Sequence, residues 1–163
     1  MPFSPAALPG QTPPAYALDE SPAGSSAPQR SQEAPDGRKR KLEYPPAPEP
    51  LPAPVVDNHT HLDFRDGLVT VSVGDALDAA AAVGVEAVVQ VGCDVESSRW
   101  AVRAAEADAR VLAAVAIHPN DAAKSALAGT LDAELEQIAA LASHPRVRAI
   151  GETGLDYFRT GEE

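Results

Sequence analysis

The pattern of apolar and polar positions changes character near residue 55. Beyond that point short β-branched runs alternate with alanine-rich stretches at helical spacing. Residues 55–57 read as a first strand, short and buried. Ser72-Val73-Gly74-Asp75 carries a Ser-x-x-Asp helix start, residues 75–83 continue as an alanine-rich helix, and Gly84 supplies the stop. Residues 86–92 form a second strand, nearly continuous in apolar character, as expected when both faces of a strand are covered. A helix over about 96–108 follows, with Asp94 as its cap, and residues 111–117 make a third strand.

After a loop at His118-Pro119-Asn120-Asp121, Thr130 is placed to cap a helix whose Leu131, Leu135, Ile138 and Ala142 share one face. His144-Pro145 ends that helix, and residues 147–151 form a fourth strand. Strands alternating with helices imply a parallel sheet with crossover helices. The strands end in Asp57-Asn58-His59-Thr60-His61, Gln90-Val91-Gly92-Cys93-Asp94, His118-Pro119-Asn120-Asp121 and Gly151-Glu152-Thr153. All carboxyl ends of a parallel sheet lie on one edge, where ligands bind in open sheets and barrels alike. Polar groups unsuited to burial therefore converge on one rim.

The residues before 55 obey a different physics. Of 16 prolines, 14 fall in residues 1–54, and larger apolar side chains there are few. Too little apolar surface is available to offset the entropy of ordering, so 1–54 reads as a disordered Pro/Ala/Ser-rich tail ahead of a folded region at 55–163. Its last ten residues favour extended polyproline II. Arg38-Lys39-Arg40-Lys41 fits a targeting or nucleic-acid patch, or a solvated linker cluster. Four residues fall short of the usual basic patch, which favours the solvated cluster.

Net charge is −11, of which the folded region carries −10. An acidic body attracts nucleic acid poorly unless local bases or bound cations offset its field. A single cysteine, Cys93, excludes an internal disulfide and a cysteine-rich zinc site. No apolar run approaches the roughly 20 residues that span a bilayer, and the first ten residues lack the features of a secretory signal. A soluble, cytoplasmic protein without a membrane partner is the expectation.

His59 and His61 stand two positions apart at the end of the first apolar run. On a strand such residues leave on the same face, so both imidazoles can point at one object. Two neutral ring nitrogens at a strand end suit a divalent metal. A pair of loop histidines capping polar groups satisfies the same pattern.

Taken together, Val56-Asp57-Asn58-His59-Thr60-His61-Leu62-Asp63, Val91-Gly92-Cys93-Asp94-Val95-Glu96-Ser97-Ser98, Val115-Ala116-Ile117-His118-Pro119 and the stretch from Ile150 to Arg159 resemble the TatD family of metal-dependent deoxyribonucleases. The resemblance covers residues 55–163 and none of the tail. It implies a TIM-type (β/α)8 barrel of the metal-dependent hydrolase kind, acting on phosphodiester bonds of DNA. It also implies one or two divalent cations as cofactors, magnesium first, with manganese or zinc as alternatives. By the same resemblance His59, His61 and Glu152 are metal ligands, with Glu152 the catalytic carboxylate bridging two metals when both are present. His118 matches a motif histidine near the substrate, although a packing role before Pro119 fits equally. Ala116 stands where the family usually has glycine.

Such a barrel typically needs about 250 residues. The chain ends at Glu163, and the two further histidines and late aspartate of the family have no counterpart in it. The expectation is therefore a barrel truncated after about four βα units, inactive by itself, with a monomer expected for the full-length protein. Another barrel hydrolase acting on a small substrate, or an inert interaction module, are the alternatives. Residues 55–163 alone are expected to be poorly stable or to aggregate; a cooperative monomeric thermal transition at an ordinary mesophilic midpoint would contradict this.

Overall fold

The computed structural model describes residues 46–63 and 71–157. Residues 1–45 of the 1–54 tail, including the basic run at 38–41, lie outside the described residues. Eight elements follow in order: β1 (Val55–Thr60), α1 (Val73–Ala82), β2 (Val85–Val91), α2 (Val95–Ala107), β3 (Val111–Val115), α3 (Pro119–Ala128), α4 (Leu131–Ala142) and β4 (Val147–Ile150). The four strands form one sheet in the order β1-β2-β3-β4, and every neighbouring pair is parallel. The expected α/β class and parallel sheet are present. All four carboxyl ends share one edge, which is what brings the strand-end polar residues into reach of one another.

Local chemistry accounts for most element ends. Ser72 accepts a hydrogen bond from the Asp75 amide at 3.0 Å, so α1 begins two residues earlier than its alanine run. Gly84 takes a positive φ of 96° at the turn into β2, and its amide bonds back to Ala81. Asp94 caps α2 in a reciprocal box: the Ser97 amide donates to Asp94 Oδ1 at 2.7 Å, and the Asp94 amide donates to Ser97 Oγ at 2.9 Å.

Three readings of the sequence need correction. The stretch at 118–121 is not a loop, because Pro119 opens α3 and His118 is its cap, accepting from the Asn120 amide through Nδ1. Proline at the first helical position costs no hydrogen bond, since that amide would have no helical partner. Thr130 sits at the start of α4 without capping it; its hydroxyl goes to Glu134 Oε1 at 2.7 Å. β1 is longer than expected and exposed rather than buried, because it lies at one end of the described sheet and pairs with β2 alone. On α4, Ile138 is buried but Leu135 remains half exposed.

The core gathers around Trp100, which is 1% exposed, with Val73 and Leu77 from α1, Val88, Val111 and Val115 from the sheet, and Ile138 from α4. Close approach of α2 to the sheet requires glycine at 92. A Cβ there would lie 2.4 Å from Ser98 Oγ and 2.5 Å from Ser98 Cα. Ser98 in turn spans to β3, accepting from the Ala116 amide at 3.3 Å and donating to the Ala116 carbonyl at 3.2 Å. The ends of β2 and β3 are thus tied to the first turn of α2.

The opposite end of the sheet is held by guanidinium groups. Arg146 donates to the carbonyls of Ala105, Ala109 and Val111, which gathers the end of α2 and the start of β3 under one side chain. Arg110 grips both Asp108 carboxylate oxygens and reaches Asp78 on α1 at 2.7 Å. The hydrogen bonds from Arg110 hold the Asp108 carboxyl below its ordinary 3.8. A carboxyl depressed in the folded state contributes stability above its unfolded pKa and loses it as pH falls through the folded value. Asp108→Asn should therefore lower stability by about 1 kcal/mol at pH 7, a partly solvated pair being weak. Thermal unfolding of both proteins from pH 7 to pH 2 should show that difference closing below pH 4.

Candidate metal centre

Each strand delivers a polar side chain to the shared edge, and Glu152 is where they meet. β1 contributes His59 and, one residue past its end, His61. Their Nε2 atoms face each other at 3.2 Å with the rings near perpendicular, at 68°. β4 is followed by Glu152, whose Oε2 lies 3.7 Å from His59 Nε2 and whose Oε1 lies 4.0 Å from His61 Nε2. One donor atom from each of His59, His61 and Glu152 lies within 4.8 Å of the others. β3 leads to His118, whose Nε2 is 3.7 Å from Glu152 Oε1, and β2 to Cys93, whose thiol faces the same oxygen at 3.7 Å.

The donor set fits a divalent cation. Two nitrogens at about 2.1 Å from one ion stand roughly 3.0–3.4 Å apart in octahedral or tetrahedral arrangements. The observed 3.2 Å between the two imidazoles falls inside that range. Imidazole with carboxylate is a donor set shared by zinc and manganese, and the mixture does not single out one metal. His118 stands differently, because its Nδ1 is occupied by the α3 amide and only Nε2 faces Glu152.

Two features of the rim lie in contacts that the strand-end positions of Cys93 and Gln90 did not reveal. Cys93 is held in place by its own amide, which donates to Ser97 Oγ at 2.8 Å, and by its carbonyl, which accepts from the His118 amide at 2.7 Å. Burial pushes its thiol up to about 12, and the neighbouring Glu152 carboxylate adds to the effect. It stands toward Glu152 as a neutral S–H donor. The second feature is a buried pair, Gln90 and Asp63, joined at 2.6 Å beneath the segment carrying His61. Burial raises the Asp63 carboxyl above its ordinary 3.8, against the lowering effect of the Gln90 hydrogen bond. His144 lies apart from the rim, where its Nδ1 accepts from the Arg146 amide and its Nε2 meets Glu106 at 3.1 Å; the residue that ends α4 is Ser143.

A parallel α/β sheet with two histidines and a carboxylate gathered at its carboxyl edge has a candidate metal site of the strand-end kind. Residues 56–163 match the family described as TatD related DNase, and the chain belongs to that family. It is also similar to a Mycobacterium tuberculosis protein named "Uncharacterized metal-dependent hydrolase TatD", at 50% identity over 107 residues. That stretch is 66% of this chain and 39% of the relative. The chain thus spans well under half of the relative it matches.

A protonated thiol is a poor nucleophile. Cys93 in the metal-free protein should alkylate with iodoacetamide at pH 8 at least about tenfold more slowly than a free cysteine. Mass spectrometry over a time course checks this, and a rate equal to that of a cysteine peptide would contradict the placement of the thiol.

Proposed function

We propose that the chain carries the first three βα units and the fourth strand of a TatD-type barrel, and that the barrel is a divalent-metal-dependent hydrolase of phosphodiester bonds in DNA. The observation that carries this reading is the meeting of His59, His61 and Glu152 at the carboxyl edge of the sheet. In this reading His59, His61 and Glu152 hold the cation, with magnesium first and manganese or zinc as alternatives. When bound, a divalent cation polarises the phosphate ester, draws a nucleophile from water near neutral pH and offsets developing negative charge.

This chain's own residues have distinct tasks around it. Glu152 offers two oxygens on different sides, one toward His59 and one toward His61, His118 and Cys93. The Cys93 thiol and the His118 ring face Oε1 and hold the carboxylate turned toward the two imidazoles. His118 is further proposed to face the substrate, where a ring N–H suits a phosphate oxygen. The acidic body gives a physical reason for the cation, since anionic substrate approaches a region of net charge −10 only where positive charge is supplied locally.

Among the described residues, no helix is long and apolar enough to cross a membrane. We propose a cytoplasmic location, with DNA as the partner. The full-length protein bearing this region should degrade single-stranded DNA with Mg2+ or Mn2+ and stop on addition of chelator. Glu152→Ala in it should lower the rate by at least about a hundredfold, as for loss of a group stabilising transition-state charge. Chelator-insensitive cleavage, or no cleavage with any divalent cation, would overturn the assignment. Turnover of a cyclic amide or small ester in place of DNA would favour another barrel hydrolase.

A further inference from the structure

The backbone ladder does not by itself fix where His59 and His61 stand. β1 and β2 pair Asp57 with Val88 and next pair Thr60 with Gln90, so three residue steps on β1 face two on β2. The extra residue makes a bulge holding Asn58 and His59, the kind of irregularity that re-aims side chains next to sites. Beyond Thr60 the strand has ended, and His61 lies outside the regular ladder.

Gln90 occupies the place where pairing gives out. It is a polar residue with no solvent exposure, in a strand whose neighbouring positions are valines. Both ends of its amide are in use. Oε1 accepts from the Leu62 amide at 2.7 Å, and Nε2 donates to Asp63 Oδ1 at 2.6 Å. These are the two residues that follow His61. On the preceding side the Thr60 hydroxyl donates to the Val89 carbonyl at 3.0 Å. His61 is therefore bracketed by side-chain bonds to β2, two of them from one buried amide.

We infer that Gln90 is a positioning residue for the metal site: its amide clamps the Leu62 amide and the Asp63 carboxylate, and so holds His61 at ligand distance from His59 and Glu152. An apolar residue of the same shape would fill the space and remove both of these bonds. A carboxylate would keep the bond to Leu62 and place oxygen against oxygen at Asp63. The chemistry at this position has to be a donor and an acceptor on one planar group, which is what an amide supplies. The inference rests on His59, His61 and Glu152 holding a divalent cation.

The test is Mn2+ affinity of the full-length protein bearing this region, by calorimetry, with circular dichroism and thermal midpoint recorded for each variant. Gln90→Met and Gln90→Glu should each weaken Mn2+ binding by about 10- to 100-fold, the usual cost of losing a group that orients a ligand. The double variant Gln90→Glu/Asp63→Asn restores a donor–acceptor pair in reverse and should recover most of the affinity. Unchanged affinity in folded single variants would overturn the inference while leaving the metal site intact. Absence of Mn2+ binding by the wild-type protein would instead overturn the metal site, and the clamp's role with it. Should the single variants not fold, amide exchange in the wild-type protein decides. Slowing at Leu62 on addition of Mn2+ supports the clamp, and exchange there as fast as in an unprotected peptide, with or without Mn2+, overturns it.

Discussion

The Glu152 carboxylate is the point on which the rest of the arrangement depends. Four side chains from three other strand ends approach its two oxygens at 3.7–4.0 Å. No single strand could assemble that group. It exists because β1, β2, β3 and β4 run in the same direction and end at the same edge. Parallel pairing is thus a chemical requirement as well as an architectural one, since reversing any strand would carry its polar end to the far side of the molecule. The buried contacts around Trp100 and the guanidinium bonds of Arg146 maintain the sheet that makes the edge.

The two ends of the sheet are built from different materials. At the far end, arginines collect carbonyls and carboxylates and hold α1, α2, β3 and β4 together. At the carboxyl edge the groups are histidines, a thiol and carboxylates, and the ties between elements are made by two hydroxyls, Ser97 accepting from the Cys93 amide and Ser98 donating to the Ala116 carbonyl. Cations fixed in the sequence serve structure at one end. The other end gathers imidazole nitrogens and carboxylate oxygens, the donor types a divalent ion takes.

Much of this was legible in the residues. The alternation of strand and helix, the caps at Ser72 and Asp94, and the polar strand ends all follow from local patterns, and the structure reproduces them. α3 was hidden because His118 is not among the usual capping residues and Pro119 reads as a break; the Nδ1 acceptor of His118 does what a serine would do. The exposure of β1 was hidden as well, since a β-branched run looks the same whether one side or both are covered. The bulge at Asn58–His59 depends on the register with β2, which no local pattern encodes. Gln90 left a faint sign, a lone amide in an apolar strand, but its partners 27 and 28 residues away could only be found in three dimensions.

The double engagement of His118 has a consequence for its tautomer. Because Nδ1 accepts from the Asn120 amide, the neutral ring must carry its hydrogen on Nε2, the nitrogen turned toward Glu152. Helix α3 therefore selects the tautomer. That choice withdraws the Nε2 lone pair from coordination and makes the ring a giver of protons toward oxygen. A substitution that unseats the start of α3 would release this selection and leave the Nε2 lone pair free to face Glu152.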